Sequence, residues 1–448
     1  MRIAVVGSGI SGLVCARLLA RSHEITLFEA EPHLGGHVNT VNVKMEDEDE
    51  ERPIDTGFIV YNERTYPNFT RILGDLKVLT RPTTMSFSVR CDRTGLEYNG
   101  TSLNGIFAQR RNALRPTFLK LLRDILRFNR EGCVDYEHVP ETQTVGEYLA
   151  QKGYSKQFSQ QYLLPMGSAI WSCPYGDFAQ FPIRFILQFY VSHGLLSLRD
   201  RPIWRVIRGG SKQYVERLAR PFADRIRLSC PVHAVRRLDR EVLVKHAAGG
   251  EQFDEIVFAC HSDQALRLLS DADALETQML SAFPYNLNAA VLHTDESVLP
   301  RKRRAWANWN YHIARHRGSR PTVTYNMNML QHIQSRHTFC VTLNEATPID
   351  PAKVIATFRY AHPQFTVQRA QVQRRHNELI RRRRTSFCGA YWRNGFHEDG
   401  VVSALAVCRK YGVPDWTVKP KERIANHRLR TNLPVAAAAQ TPPVGEQL

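Results

Sequence analysis

With 448 residues, 43% of them apolar and 10% aromatic, the chain has material for two domains or one large composite fold, which excludes a disordered protein. Its 60 basic residues outnumber 43 acidic ones by 17, and 48 of the 60 are arginine, whose planar fork suits phosphate and carboxylate partners. Such a charge describes a field and not an activity, and a solvated basic surface accounts for it ahead of a nucleic acid, an anionic membrane or a phosphorylated ligand. Nine scattered cysteines, at 15, 91, 133, 173, 230, 260, 340, 388 and 408, include no C-x-x-C pair and no zinc-like histidine spacing. A reducing, cytoplasmic compartment and no metal site are therefore expected. No apolar run reaches the length of a membrane-spanning helix. Met1–Ala20 is apolar like a signal peptide, yet its spaced glycines and Arg17 read as folded structure.

Ile3 to Val6 form a buried strand pattern, Gly7-Ser8-Gly9-Ile10-Ser11-Gly12 follows, and Leu13, Ala16 and Leu19 recur at helical spacing. In this strand–turn–helix unit Gly7 permits the tight turn, Gly9 lets backbone N–H groups approach a diphosphate, and Gly12 allows close helix packing. Ser11 lies in the same first turn. A second strand, Glu24 to Phe28, ends at Glu29, 22 residues after Gly7, where a carboxylate accepts hydrogen bonds from an adenosine ribose. A carboxylate there repels a 2′-phosphate, so FAD or NAD is expected rather than NADP.

The choice between the two comes from Glu29-Ala30, then Gly35-Gly36-His37, then Asp55-Thr56-Gly57-Phe58. Together these resemble the amine oxidase, protoporphyrinogen oxidase and phytoene desaturase superfamily of flavoproteins, which implies FAD. The resemblance implies that Gly35 and Gly36 approach the diphosphate and the flavin, with His37 where arginine is usual, and that Gly57 and Phe58 abut the isoalloxazine. The six acids Glu46 to Glu51 repel one another too strongly to share a buried site and read as a solvated hairpin loop.

From Leu76 to Arg199 the pattern is mostly helical, most clearly over Arg115 to Arg130. There Phe118, Leu121, Leu122, Ile125 and Phe128 line one face, and Lys120, Arg123, Arg127 and Arg130 the other. A packed surface helix and a helix lying on an anionic bilayer both fit this pattern. At Gly209-Gly210-Ser211 the chain returns to the nucleotide domain, with a helix over Gln213 to Arg220, strands over Arg225 to Cys230 and on to Lys245, and the buried run Ile256 to Cys260. Val232 follows the first of these strands, where the superfamily's backbone contacts adenine. Alternating stretches at Ala289 to His293, Thr322 to Tyr325 and Phe339 to Leu343 read as an antiparallel sheet carrying a substrate cavity.

Near the end, Phe387-Cys388-Gly389 leads through Gly395-Phe396-His397-Glu398-Asp399-Gly400 to a helix read as Val401 to Val407. A helix N-terminus at this point stabilises negative charge on a reduced flavin, which makes Gly389, Asp399 and Val401 candidate cofactor contacts. With Asp55 to Asn62, Ala169 to Pro174 and Trp306 to Tyr311, this segment resembles a narrower group, the FAD-dependent oxidoreductases related to the N-terminal flavoprotein region of plant cyclopropane-fatty-acid synthases. The likeness covers residues 1 to 410. It departs from that group at Arg381 to Arg384, where relatives carry a glycine-containing turn.

The fold expected is α/β, with a discontinuous Rossmann-like FAD-binding domain over 1–75, 200–265 and 378–410. An α+β substrate domain with an antiparallel sheet takes 76–199 and 266–377, and 411–448 is a basic, then Pro/Ala-rich tail. The resemblance implies a lipid acyl chain as substrate, methyl-branched or cyclopropane-type fatty acid metabolism, and a lipid methyltransferase as partner. The basic segments add a peripheral membrane location, while no nucleic-acid module is visible. Tyr61 and His397 are the motif candidates for the proton acceptor, and Trp171, Trp306 and Trp309 suit an apolar cavity wall, although tryptophans at these spacings serve as core more often than as ligand contacts. The rival readings are an amine or other small-molecule oxidase and a non-catalytic FAD-binding partner protein.

Overall fold

The computed structural model describes residues 1–197, 201–315, 322–345, 347–414 and 416. Most of the basic, Pro/Ala-rich tail lies outside the described residues. Three segments of the chain build one five-stranded parallel sheet. Its centre is β1 (Arg2–Val6), flanked on one side by β2 (Glu24–Phe28) and Ile226–Arg227, and on the other by Glu255–Phe258 and Thr385–Phe387. Strands buried on both faces need unbroken apolar runs, and Ile3, Ala4, Val5, Ile256, Val257 and Phe258 are all fully buried. The order runs outward in both directions from β1, which places a topological switch point, the usual ligand crevice of open α/β sheets, at its carboxyl end.

α1 (Ile10–Leu19) covers one face, and the closing helix, His397–Lys410, packs along it. A Cβ on Gly400 would lie 2.8 Å from Ile10 Cγ2, and eight residues further on Cys408 Sγ is 3.8 Å from Cys15 Sγ. Early residues meet early and late meet late, so the two helices run parallel. Their N-termini therefore sit together at the carboxyl end of the sheet.

The second sheet has seven strands, in the order Val354–Pro363, Tyr285–His293, Cys340–Leu343, Thr322–Asn326, Trp309–Ile313, Phe87–Cys91 and Leu96–Asn99. Every pairing is antiparallel except Trp309–Ile313 with Phe87–Cys91. Helices between Leu103 and Ser192 pack on it through an aromatic core that includes Phe118, Phe128, Tyr148, Phe158, Trp171 and Phe178. The acidic run lies in the loop joining Thr40–Val43 to Arg52–Asp55. Glu48 is not free in solvent, since it pairs with Arg52 at 2.7 Å and accepts from the Arg336 backbone N–H.

The four-arginine turn is built without glycine. Arg381, Arg383 and Arg384 all have φ between +48° and +62°, the left-handed region that costs a side chain about 1 kcal/mol each. Acidic partners hold it: Arg381 binds Glu255, Arg382 binds Asp273, and Arg383 pairs with Asp271 at 2.9 Å. The turn precedes Thr385–Phe387, so it lies at the amino end of the sheet, away from the crevice.

Candidate active site

Four of the five parallel strands deliver a motif residue to the same edge. β1 runs into Gly7, β2 into Glu29, Glu255–Phe258 into Ala259-Cys260-His261, and Thr385–Phe387 into Cys388-Gly389. Gly7 has φ +102°, and a Cβ on Gly12 would lie 2.0 Å from Gly7 O, so both glycines are required by the turn itself. Gly9 differs from them. A Cβ there would meet nothing within 4 Å, and as N-cap of α1 it has no side-chain capping bond. The first bond of the helix is Leu13 N to Gly9 O at 3.0 Å, so the N–H groups of Ile10, Ser11 and Gly12 have no partner within the helix, the arrangement that binds an anion.

Glu29 is drawn into this turn. Its Oε2 accepts from Ser8 N at 2.9 Å and Ser8 Oγ at 2.5 Å, and its Oε1 accepts from Glu31 N at 3.0 Å, while the neighbouring Ala30 is exposed. Gly35 N reaches back to Ser8 O at 3.2 Å, and a Cβ on Gly36 would approach Gly9 Cα to 3.2 Å. Gly36 itself stays exposed, so two glycine turns form one bare-backbone channel. Val232 begins a strand of the meander beside the Glu29 end of the channel, pairing with His246. At the other end a Cβ on Gly57 would lie 2.0 Å from His37 O, which accepts from Phe58 N.

Beyond the glycines the wall is imidazole. His37, His261 and His362 come from three distant segments, and their rings meet around His37 at 5.8 Å and 5.4 Å, with Tyr360 at 5.4 Å. All three lie deep in the molecule yet keep accessible surface, as residues lining a cavity do. Burial depresses their pKa values, to about 4 for His261 and about 3 for His362, so all three are neutral at pH 7. His37 hydrogen-bonds the Ala361 backbone, while its Nε2 is buried without a partner. The free nitrogen is therefore Nε2, and the proton sits on Nδ1.

His397 opens the closing helix. It stacks on Phe58 at 3.6 Å and 10°, contacts Tyr214 Oη through Nε2 at 2.6 Å, and is held neutral by burial, with a pKa of about 3. Tyr61 lies in the core beneath it, edge-on to Tyr66 and Phe69, and burial raises its pKa above 10. The two motif candidates share Phe69 as a neighbour and are not in ring contact with each other. Asp399 caps the helix through Phe396 N at 2.9 Å, Glu398 binds the Asn68 and Phe69 N–H groups of another helix start, and Val401 is fully buried. Burial lifts both carboxyls, to about 6 for Asp399 and about 7 for Glu398. Gly389 N donates to Ser403 Oγ at 2.8 Å, which joins the last strand to this helix. Asp55 of the glycine-bearing turn, raised to about 7 by burial, is a tether that accepts from Thr40, Ser211 and Gln331.

Phe396 links the site to an aromatic row. It stacks on Phe189 at 5.0 Å, Phe189 meets Trp171 at 4.9 Å, and Phe365 packs on Phe185 at 4.8 Å and on Trp171 at 6.0 Å. Trp171 is part of this row, whereas Trp306 donates to Pro300 O and Trp309 packs edge-on to Tyr325 in the sheet. His261, His362 and the phenylalanines of the aromatic row were missed by sequence reasoning, because their proximity arises only from tertiary pairing. No group of side chains able to hold a metal ion occurs among the described residues.

A channel of bare backbone leading to two adjacent helix N-termini, with an orphaned imidazole nitrogen beside it, fits a dinucleotide whose ring system bears negative charge when reduced. The comparisons agree. The model of the flavin-containing amine oxidoreductase family matches residues 10–341, and the chain belongs to that family. No curated protein matches it in sequence. Among solved structures it is similar to a CLA-producing fatty acid isomerase from P. acnes (15% identity, TM-score 0.66, 92% of this chain and 98% of that one). A provisional protoporphyrinogen oxidase from Exiguobacterium sp. 255-15 aligns at 20% identity and TM-score 0.65, again over 92% and 98%. Cyclohexylamine oxidase from Brevibacterium oxydans IH-35A follows at 14% and 0.62, over 92% and 99%. At these identities the structures establish the fold. The protein is an FAD-dependent oxidoreductase, and none of its described helices is long and apolar enough to cross a membrane.

Proposed function

We propose that this oxidoreductase dehydrogenates a carbon–carbon bond in the acyl chain of a lipid, in methyl-branched or cyclopropane-type fatty acid metabolism. The observation that carries this reading is the aromatic row from Trp171 through Phe189 to Phe396, which arrives beside His397 at the closing helix N-terminus. Trp171 and Phe189 are buried in the aromatic core, and Phe185, Phe365 and Phe396, the partly exposed members of the row, would meet an alkyl chain by apolar contact. The neutral state of His37, His261, His362 and His397 adds no charge to the cavity. A fatty acid isomerase among the fold neighbours supports the same substrate class, as does the resemblance to the cyclopropane-fatty-acid synthase flavoprotein region.

FAD, when bound, supplies a two-electron hydride acceptor. Gly9 to Gly12 and Gly35-Gly36 would hold its diphosphate on backbone N–H groups, and the N-terminus of His397–Lys410 would stabilise negative charge on its ring system. The second hydrogen leaves as a proton. His397 keeps Nε2 on Tyr214, and Tyr61 is enclosed in the core, so both act by positioning Phe58 and Phe69.

Anaerobic stopped-flow absorbance tests this. Flavin bleaching by branched-chain phospholipid but not by putrescine or cyclohexylamine is expected. Bleaching by the amines alone would reverse the assignment to amine oxidation.

A further inference from the structure

The helix Pro116–His138 presents two unlike faces. Inward, Phe118, Leu121 and Phe128 are buried, and a Cβ on Gly132 would stand 3.0 Å from Leu187 of the neighbouring helix. Outward, Leu119 is 46% exposed, Leu126 55% and Val134 60%, and Leu114, just before the helix, is 87% exposed. At 3.6 residues per turn, Leu119, Arg123, Leu126, Arg130, Cys133 and Val134 fall within an arc of about 100°, over about 22 Å of axis. Leucines and arginines thus alternate along one exposed stripe.

The charge on this stripe has one sign. Between residues 101 and 134 the exposed charged side chains are Arg110, Arg111, Lys120, Arg123 and Arg130. The acids of the segment are turned inward: Asp124 accepts from Ser155 N at 3.0 Å, and Glu131 pairs with Arg127 at 2.8 Å. The first exposed acid is Glu137, in the last turn.

We propose that this face docks on an anionic lipid bilayer, the helix lying in the plane of the headgroups. Exposed leucines flanked by cations suit that boundary, with apolar tips entering the acyl region while guanidinium and ammonium groups meet phosphates. A nucleic acid would use the cations and leave the leucines in water, so the alternation favours lipid. The docking stands apart from the substrate assignment, since a peripheral amine oxidase would bind through it equally well.

Cys133 is the one exposed thiol of the nine and lies on the stripe itself, so the native chain carries its own labelling site. The full-length holoprotein is labelled there with bimane maleimide and mixed with vesicles of phosphatidylcholine alone or phosphatidylcholine with phosphatidylglycerol. Blue-shifted emission and cosedimentation with the mixed vesicles only, weakened by salt, are expected. Replacing Lys120, Arg123 and Arg130 together by Ser should lower partitioning about 100-fold, at about fivefold per cation. Leu119→Ser with Leu126→Ser should lower it at least about tenfold at an unchanged salt slope. Flavin absorbance and melting midpoint confirm that both variants fold. Unaltered vesicle binding in both variants overturns the proposal. So does an unshifted label in a protein that is retained on duplex DNA through the same three cations.

Discussion

Gly9 and Gly12 lie in one motif but answer to different constraints, and a serine at Gly9 separates them. Gly9 has φ −61° and ψ 177°, which any residue adopts, and its Cβ direction is open. Serine is a preferred N-cap, so Gly9→Ser should leave the apoprotein unchanged or more stable by a few tenths of a kcal/mol. The added Cβ and Oγ would occupy the volume over the Ile10 to Gly12 N–H groups that the diphosphate needs. Losing one charge-assisted hydrogen bond costs about 1.5–3 kcal/mol, a weakening of FAD of about 10- to 100-fold. At a concentration of FAD about 100 times the wild-type Kd, binding stabilises the fold by about 2.7 kcal/mol, and a 100-fold weaker Kd reduces that to about 0.4. Melting with and without FAD, together with quenching of flavin fluorescence, reads both quantities. The expected outcome is an unchanged apo midpoint and a largely lost FAD-dependent shift. Gly12→Ala should instead lower the apo midpoint itself, because its Cβ would lie 2.0 Å from Gly7 O. If Gly9→Ser binds FAD as the wild type does, the diphosphate does not lie on this helix start.

Stability should fall in acid. His193, His261, His293 and His376 are depressed to about 4, and His362 and His397 to about 3, so each is neutral when folded and takes up a proton on unfolding below pH 6.5. Their contribution is complete above that pH and is lost as pH falls through the window. Asp55, Glu398 and Asp399 act in the opposite sense: raised to about 7, 7 and 6, they keep protons that the unfolded chain releases above the ordinary carboxyl pKa, so they stabilise at low pH and lose this as pH rises. Six groups outweigh three, and thermal melts should show a midpoint decreasing from about pH 7 to about pH 5, with a shallower slope in His362→Asn; a midpoint that rises toward acid would contradict the neutral-histidine wall. Arg237 is 8% exposed and donates to Glu276, which is fully buried, and to Asp271. Glu276 keeps the Asp273 N–H at 3.0 Å, with Arg382 at 3.9 Å and Arg383 at 3.7 Å, so Arg237→Met should cost about 1.5–3 kcal/mol through its lost charge-assisted hydrogen bonds, as measured by denaturant unfolding. His397→Phe keeps the ring against Phe58 but leaves the buried Tyr214 hydroxyl unpaired, a cost of about 1–3 kcal/mol. The double variant with Tyr214→Phe should restore both stability and flavin reduction rate; restored stability with a rate still lost would make His397 a catalytic residue.

What was legible in the sequence was what the backbone requires locally. Gly7 has positive φ and a Cβ on Gly12 would lie 2.0 Å from Gly7 O, so both are read from their own turn, whereas Gly35, Gly36 and Gly57, the last with its Cβ position 2.0 Å from His37 O, were read from the resemblance. The closing helix was read as starting at Val401 and begins at His397, because His397-Glu398-Asp399 looked like a polar loop. Acids in a first turn are themselves a start signal, and here both are buried as caps of two different helices. The strand Val354–Pro363 escaped notice because its inward and outward residues do not alternate cleanly, and with it went His362. His37, His261 and His362 are separated by 224 and 101 residues, and no periodicity links them.

The arginines show the same limit from the other direction. Arg381 to Arg384 form the densest basic run in the sequence, yet Glu255, Asp271 and Asp273 engage three of its members to hold a left-handed turn. Arg123 and Arg130, spaced seven apart among leucines, are less conspicuous in the sequence, but the fold turns their neighbouring acids inward and leaves them facing out. Linear density of charge therefore misleads about where a field acts. What decides is which carboxylates the tertiary structure brings within reach, and in this molecule they are spent at the amino end of the parallel sheet and withheld from the outer face of the long helix.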